Sequence, residues 1–164
     1  MPQFIENDPT LLSAYIASAS SGLIVFDGRP TAGKTYVARE MANRLHGTAV
    51  DADDFLDRDR GMFLGALRID ELRRAIETAT PPVLLSSVCG RQVAERLGLP
   101  VRAFIWVEQA SPVRLDQIRR DYFDYDDNAD AECSHPLHRD VEAYIAACDA
   151  RRTPDIVYFN ARDD

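Results

Sequence analysis

The sequence predicts an α/β fold, a three-layer sandwich with a five-stranded parallel sheet between two layers of helix. Three observations predict it. Five short apolar runs alternate with helical patterns along the chain. The runs are apolar throughout rather than on alternate residues, as strands covered on both faces are. Right-handed crossovers between such strands place the intervening helices on the two faces of the sheet. No repeat, low-complexity tract or Gly/Ser linker divides the 164 residues, so residues 1–164 are expected to form one domain around a core drawn from 46% hydrophobic content.

Asn7-Asp8-Pro9 reads as a helix start, with proline in the first turn and "TLLSAYIASA" following. "GLIVFD" is the first strand. Residues 34–46 form the first crossover helix, with Val37, Ala38, Met41 and Leu45 on one face and Gly47 placed to end it. "TAVDA" is a short second strand. Leu67, Leu72, Ala75 and Ile76 mark a helix that Pro81-Pro82 stops. "VLLSSV" and "VRAFIWV" are buried strands separated by a short helix over "RQVAERLG". A charged helix is expected over 112–122, then the polar stretch "DYDDNADAECSHP", then a helix bearing Val141, Tyr144, Ile145 and Cys148. "DIVYF" closes the sheet.

Nineteen basic against twenty-seven acidic side chains leave a net charge of −8. A nucleic-acid binder must neutralise phosphates with clustered Lys and Arg, so a small dissolved partner is expected and nucleic acid is not. Three widely spaced cysteines, Cys89, Cys133 and Cys148, do not make a disulfide framework and point to a reducing, cytoplasmic setting. The N-terminus lacks a basic region, and no apolar stretch approaches the roughly 20 residues that span a bilayer, so no signal peptide and no membrane association are expected.

The stretch that carries chemistry is Gly28-Arg29-Pro30-Thr31-Ala32-Gly33-Lys34-Thr35. It satisfies G-x-x-x-x-G-K-[ST] in full, follows a strand and opens a helix, the context in which this pattern cradles phosphates. Its glycines let the backbone curl until successive N–H groups point inward, and the helix adds its positive end. Lys34 is expected to reach the β- and γ-phosphates of ATP, and the Thr35 hydroxyl to ligate Mg²⁺. At the end of the second strand, "VDADDFL" puts Asp53 beside the loop, where a carboxylate can accept a hydrogen bond from an attacking hydroxyl. Asp51 lies on the same side by period-two alternation and is a candidate for a Mg²⁺-bound water. The alternative is that "DADD" merely caps a helix beginning at Phe55.

On "FDGRPTAGKT" the chain resembles the P-loop nucleoside and small-molecule kinases, and Asp27-Gly28 ahead of the loop looks like the uridine kinase branch, with its phosphoribulokinase and pantothenate kinase relatives. "VDADDFL" is similar both to the D-x-F signature of that branch and to the D-x-D of shikimate and gluconate kinases. Both alignments put the aspartate that meets the substrate hydroxyl on Asp53. The resemblance implies a P-loop NTPase fold and transfer of the γ-phosphoryl group of ATP, with Mg²⁺, to a hydroxyl of a small metabolite such as a nucleoside. It also implies a lid around 112–135, with Arg114, Arg119 and Arg120 in "VRLDQIRRDY" as candidates to meet the transferring phosphoryl group; of these, Arg119 and Arg120 are taken as catalytic candidates. Arg91, beyond the third strand, is weighed between phosphate contact and an ordinary surface arginine, with the latter favoured.

One departure stands out. The third strand, "VLLSSVCG", ends without the acid that a Walker B strand or the Glu-Gly of the uridine kinase branch places there; Ser86, Ser87 or Cys89 stands near that point. Metal binding must then lean on Thr35, Asp51 and water. Two rival readings follow: a zeta-toxin-like kinase of an activated sugar, and a nucleotide-binding regulatory protein with little turnover. A GTPase is disfavoured, since N-K-x-D and D-x-x-G are both absent. "ECSHPLH" invites a zinc reading on Cys133, His135 and His138, but a structural site needs a fourth ligand and none is nearby.

Overall fold

The structure is a computed structural model, in which residues 1–18, 21–57, 62–111, 120–123 and 135–161 are described. The strands are β1 (Gln3–Glu6), β2 (Leu23–Asp27), β3 (Thr48–Asp51), β4 (Val83–Ser86), β5 (Val101–Gln109) and β6 (Ile156–Asn160). They form one sheet in the order β1-β6-β5-β2-β4-β3, with every neighbouring pair parallel. The helices are α1 (Pro9–Ser18), α2 (Lys34–Leu45), α3 (Phe63–Ala66), α4 (Ile69–Glu77), α5 (Gly90–Leu97) and α6 (Pro136–Cys148).

Successive side chains of a strand point to opposite faces, and the two core layers show it. Ile24 and Phe26 of β2 join Leu84, Ile105, Val37 and Met41 beneath α1 and α2. Val25 of the same strand joins Leu85, Trp106, Leu72 and Val93 beneath α4 and α5, with Val141 and Tyr144 of α6. All five residues of β2 are buried, because this central strand is covered on both faces. From β2 the chain crosses to β3, returns to β4, then moves to β5 on the other side of β2. The switch point of the winding is therefore at the carboxyl end of β2, where open parallel sheets bind ligands.

The sheet has six strands, not the five expected. The additional strand is β1, "QFIE", paired with β6 from Gln3↔Ile156 to Glu6↔Phe159. It is short, Ile5 is its one fully buried residue, and its partner is at the far end of the chain, so no local pattern marks it. The helix expected on Leu67, Leu72, Ala75 and Ile76 is α4, which begins only at Ile69, and a separate short helix, α3, precedes it. Leu67 leaves the helical path to bridge Leu56, Asp57 donates its N–H to Ala66 (2.8 Å) and Arg68 donates its own to Phe55 (2.9 Å). These bonds take the backbone groups that a continuous helix would use. The helix expected over 112–122 and the lid around 112–135 fall largely outside the described residues. Among the described residues no helix is long and apolar enough to cross a membrane.

Ile5 is 1% exposed and packs with Leu12, Ile16 and Ile156. Ile5→Ala should therefore lower the unfolding free energy in urea by about 2–4 kcal/mol, the usual effect of removing a buried aliphatic side chain; a loss below about 0.5 kcal/mol would mean that β1 is not part of the folded sheet.

Candidate functional site

Because all six strands are parallel, their carboxyl ends line one edge, and the residues there are polar. Asp27 ends β2, Asp51 ends β3, Ser86 ends β4, Glu108 lies one residue from the end of β5, and Asn160 ends β6. The loop Gly28–Gly33 leaves the central strand in the middle of this row and feeds α2.

The loop's shape has identifiable causes. Gly28 has φ +148° and passes so close to Val107 that an added Cβ would lie 2.5 Å from its carbonyl oxygen. Gly33 has φ +88°. Asn160 Nδ2 donates to the Ala32 carbonyl (3.1 Å) and occupies the space in which a Gly33 side chain would stand. Thr31 has φ +66°, a backbone conformation that β-branched residues rarely adopt; such conformations cluster in ligand-binding loops. Arg29 is held from outside: its Nε and Nη2 form a bidentate pair with Glu142 of α6 (2.7 and 3.0 Å), and its Nη1 is 3.9 Å from Glu108. The Arg29 side chain thus braces the loop against α6. Asn160, Glu108 and Glu142 were not singled out from the sequence. A polar residue closing an apolar run was the available signal for Asn160.

At the start of α2, Lys34 is 8% exposed. Its Nζ donates to the Arg29 carbonyl at 2.6 Å, which folds the ammonium over the mouth of the loop. Burial pulls its pKa down, opposed by the carboxylates of Asp27, Asp53 and Asp51. The next residue makes the contact that matters most for a metal. Thr35 Oγ1 donates to Asp51 Oδ2 (2.8 Å) and lies 3.0 Å from Ser86 Oγ. Two hydroxyls and a carboxylate converge there, all hard oxygens of the kind Mg²⁺ accepts. Ser86 stands at the strand end where an acid was missed in the sequence, and it reaches the same hydroxyl.

β3 ends at Asp51, so period-two alternation does not extend to Asp53. Instead, residues Ala52–Phe55 form a 3₁₀ turn, and Asp51 Oδ1 caps it by accepting the Asp53 N–H (3.1 Å). Asp51 therefore caps with one oxygen and meets Thr35 with the other. Asp53 is exposed at the rim. The protein packed behind it raises its pKa first and the charge of Asp51 second, while Lys34 lowers it. Lys34, Asp51 and Asp53 thus act on one another electrostatically around the loop mouth.

Beneath the loop lies a buried polar group that the sequence reading used only as a family mark. Asp27, 3% exposed, accepts from the Gly28 N–H at 2.8 Å, from the Gly90 N–H and from the Tyr144 hydroxyl by a short hydrogen bond. The Tyr144 oxygen in turn accepts from the Arg91 N–H (3.1 Å). Burial raises the Asp27 pKa, with these bonds and Lys34 opposing. The loop, α5 and α6 are tied together through this one carboxylate.

Other candidates stand apart from this cluster. The Arg91 guanidinium donates to the Thr153 carbonyl (2.6 Å) and lies over the Phe104 ring, 4.5 Å from its centroid, which is a packing role. His135 caps α6, its Nδ1 accepting from Leu137 N–H (3.2 Å). Among the described residues no group of three His, Cys, Asp or Glu side chains could hold a metal by itself. Arg120 is exposed on a helical turn; Arg114, Arg119 and Cys133 lie outside the described residues.

No protein family and no curated protein matches the chain in sequence. Among solved structures it is similar to that of a possible uridine kinase from Bacillus stearothermophilus, with a TM-score of 0.58 at 12% identity, over 92% of this chain and 96% of that one. A shikimate kinase from Acinetobacter baumannii in complex with shikimate also aligns, with a TM-score of 0.46 at 17% identity, over 93% of this chain and 89% of that one. The first of these likenesses spans nearly the whole of both chains. The chain shares the fold of that first structure.

The contact between Gly33 and Asn160 can be tested by a double-mutant cycle. Gly33→Ala should cost on the order of 2–3 kcal/mol, from a positive φ and an overpacked contact, and Asn160→Ala about 1–2 kcal/mol from the lost hydrogen bond. The double variant should recover about 1 kcal/mol relative to the sum, because the clash needs both partners. Strict additivity in urea melts would show that the two residues do not touch.

Proposed function

We propose that the protein is an ATP-dependent phosphotransferase that moves the γ-phosphoryl group to a hydroxyl of a small metabolite. The observation that carries the reading is the grouping of Lys34, the Thr35–Asp51 hydrogen bond and the rim carboxylate Asp53 around one positive-φ loop at the switch point of a parallel sheet. The loop's N–H groups and the N-terminus of α2 hold the triphosphate. Lys34 exchanges the Arg29 carbonyl for phosphate oxygens, which gives its ammonium a partner of opposite charge. Thr35, Asp51 and Ser86 are the residues that would hold Mg²⁺, a cation that neutralises charge on the β- and γ-phosphates in such sites.

Asp53 orients the acceptor hydroxyl and takes its proton as the hydroxyl oxygen bonds to the γ-phosphorus and the bond to the β–γ bridging oxygen breaks, releasing ADP. A carboxylate is a weak base, and orientation is the larger part of its contribution. Burial and Asp51 raise its pKa, which moves Asp53 toward a better base. The likeness of the fold to a possible uridine kinase supports a nucleoside or related acceptor. The net charge of −8 supports a small dissolved acceptor and argues against nucleic acid. Lid arginines, with Arg119 and Arg120 as the candidates, would add positive charge at the transferring group. Ser86 in place of an acid favours a second reading, a nucleotide-binding regulator with little turnover, in which the loop binds ATP and the metal is held too weakly for rapid transfer.

Coupled ADP release against a panel of nucleosides, sugars and acids separates the two. Asp53→Asn should lower acceptor-dependent kcat by about 10²–10³ with ATP affinity retained, whereas Lys34→Ala should weaken ATP binding itself. Tight ATP binding with no acceptor-stimulated turnover would favour the regulator, and unchanged binding and turnover in Lys34→Ala would overturn the placement of the triphosphate.

A further inference from the structure

Beside the loop, a cavity of about 300 Å³ opens between α3 on one side and α6 on the other, with the start of α5 as its floor. Its walls are apolar: Phe63 and Leu64 face Ala143 and Ala147. Three polar side chains, Cys89, Gln92 and Asp140, also line it, and among the described residues none of the three has a hydrogen-bond or ion-pair partner. Cys89 is 2% exposed, and Asp140 and Gln92 are half-buried. Three polar side chains without a protein partner around one apolar cavity leave their donors and acceptors free to meet a ligand.

The cavity adjoins the phosphate loop. Its wall residue Tyr144 holds Asp27 at the end of β2, and Cys89 lies within electrostatic reach of both Lys34 and Asp140. The element that follows the turn carrying Asp53 is α3, which forms one wall. Burial pushes the Cys89 thiol up to about 12, with the charges of Asp27 and Asp140 adding to it, so the thiol stays protonated and can serve as a weak donor.

Resting on the kinase reading above, we propose that this cavity receives the phosphate acceptor, and that the acceptor is a hydroxyl compound with an apolar, ring-sized body and an amino group that meets Asp140. The walls bury the ring, Gln92 and Cys89 hydrogen-bond its polar edge, and the Asp140 carboxylate pairs with the ammonium and repels a carboxylate at the same position. The volume sets the size: 300 Å³ holds a single ring with short substituents.

Three matched probes test this on the full chain loaded with Mg²⁺ and a non-hydrolysable ATP analogue: 4-(aminomethyl)benzyl alcohol, 4-methylbenzyl alcohol and 4-(hydroxymethyl)benzoic acid. Calorimetry should show the amine binding at least tenfold tighter than the acid, with the methyl compound between. Asp140→Asn should remove most of that gap. Ala147→Phe, which fills the cavity, and Ala143→Phe at a second point of the wall should weaken all three probes at least tenfold while affinity for the ATP analogue stays within twofold. The proposal is overturned if the acid binds as tightly as the amine, if no probe binds, if the gap survives Asp140→Asn, or if both filling variants leave binding unchanged. Binding with the expected Asp140 dependence but without ADP release from ATP would sink the kinase reading and leave the cavity assignment standing. ADP release driven by an acidic acceptor, and unaffected in Ala147→Phe, would do the reverse.

Discussion

One close approach sets the geometry on which the site depends: the amide of Asn160, at the end of β6, stands where Gly33 has no side chain. Only glycine permits both that approach and the left-handed backbone at this residue. With Asn160 bonded to the Ala32 carbonyl, the last strand of the sheet fixes the turn into α2 from below. Gly28 meets Val107 on β5 in a similar way. Two strands that come late in the chain therefore shape a loop that comes early.

Charge is arranged around this loop in layers. Buried Asp27 lies beneath it, saturated by two backbone N–H groups and the Tyr144 hydroxyl. Buried Lys34 lies across its mouth, and Asp51 and Asp53 stand at the rim. Burial disfavours the charged form of both Asp27 and Lys34, so each gains from the other's field and the ammonium stays poised for a stronger anion. Arg29 gives its carbonyl to Lys34. Its bidentate pair with Glu142 ties the loop to α6, the helix that also carries Tyr144 and Asp140. A shift of α6 would be felt at once by the loop, by Asp27 and by the cavity between α3 and α6.

The strands β2 to β6 and the helix after the loop were legible because each is a local pattern: an apolar run of strand length, a glycine-rich turn, a period of 3.6. β1 was not, since Ile5 alone marks its burial and its partner β6 is some 150 residues away. The place of Leu67 outside α4 was invisible for the same reason, resting on a bridge to Leu56. In the site, Lys34, Thr35 and Asp51 could be read from spacing. Asn160, Glu142 and Tyr144 could not, because what makes them important is a contact more than a hundred residues away in sequence. Asp51 shows the intermediate case: the sequence offers it for a Mg²⁺-bound water, with capping by "DADD" as the alternative, and in the fold one oxygen caps the turn while the other accepts from Thr35.

Ser86 stands at the strand end where the sequence lacks the expected acid, and its hydroxyl lies 3.0 Å from Thr35 Oγ1. The central claim is that the loop grips a triphosphate with its terminal phosphorus toward Asp53. A crystal structure with Mg²⁺ and a non-hydrolysable ATP analogue tests it most directly. In that complex Lys34 Nζ should have moved from the Arg29 carbonyl to the terminal phosphates, the metal should lie on Thr35 Oγ1, and Asp53 should face the γ-phosphorus. An analogue bound elsewhere, or Lys34 still donating to Arg29 with nucleotide present, would contradict it.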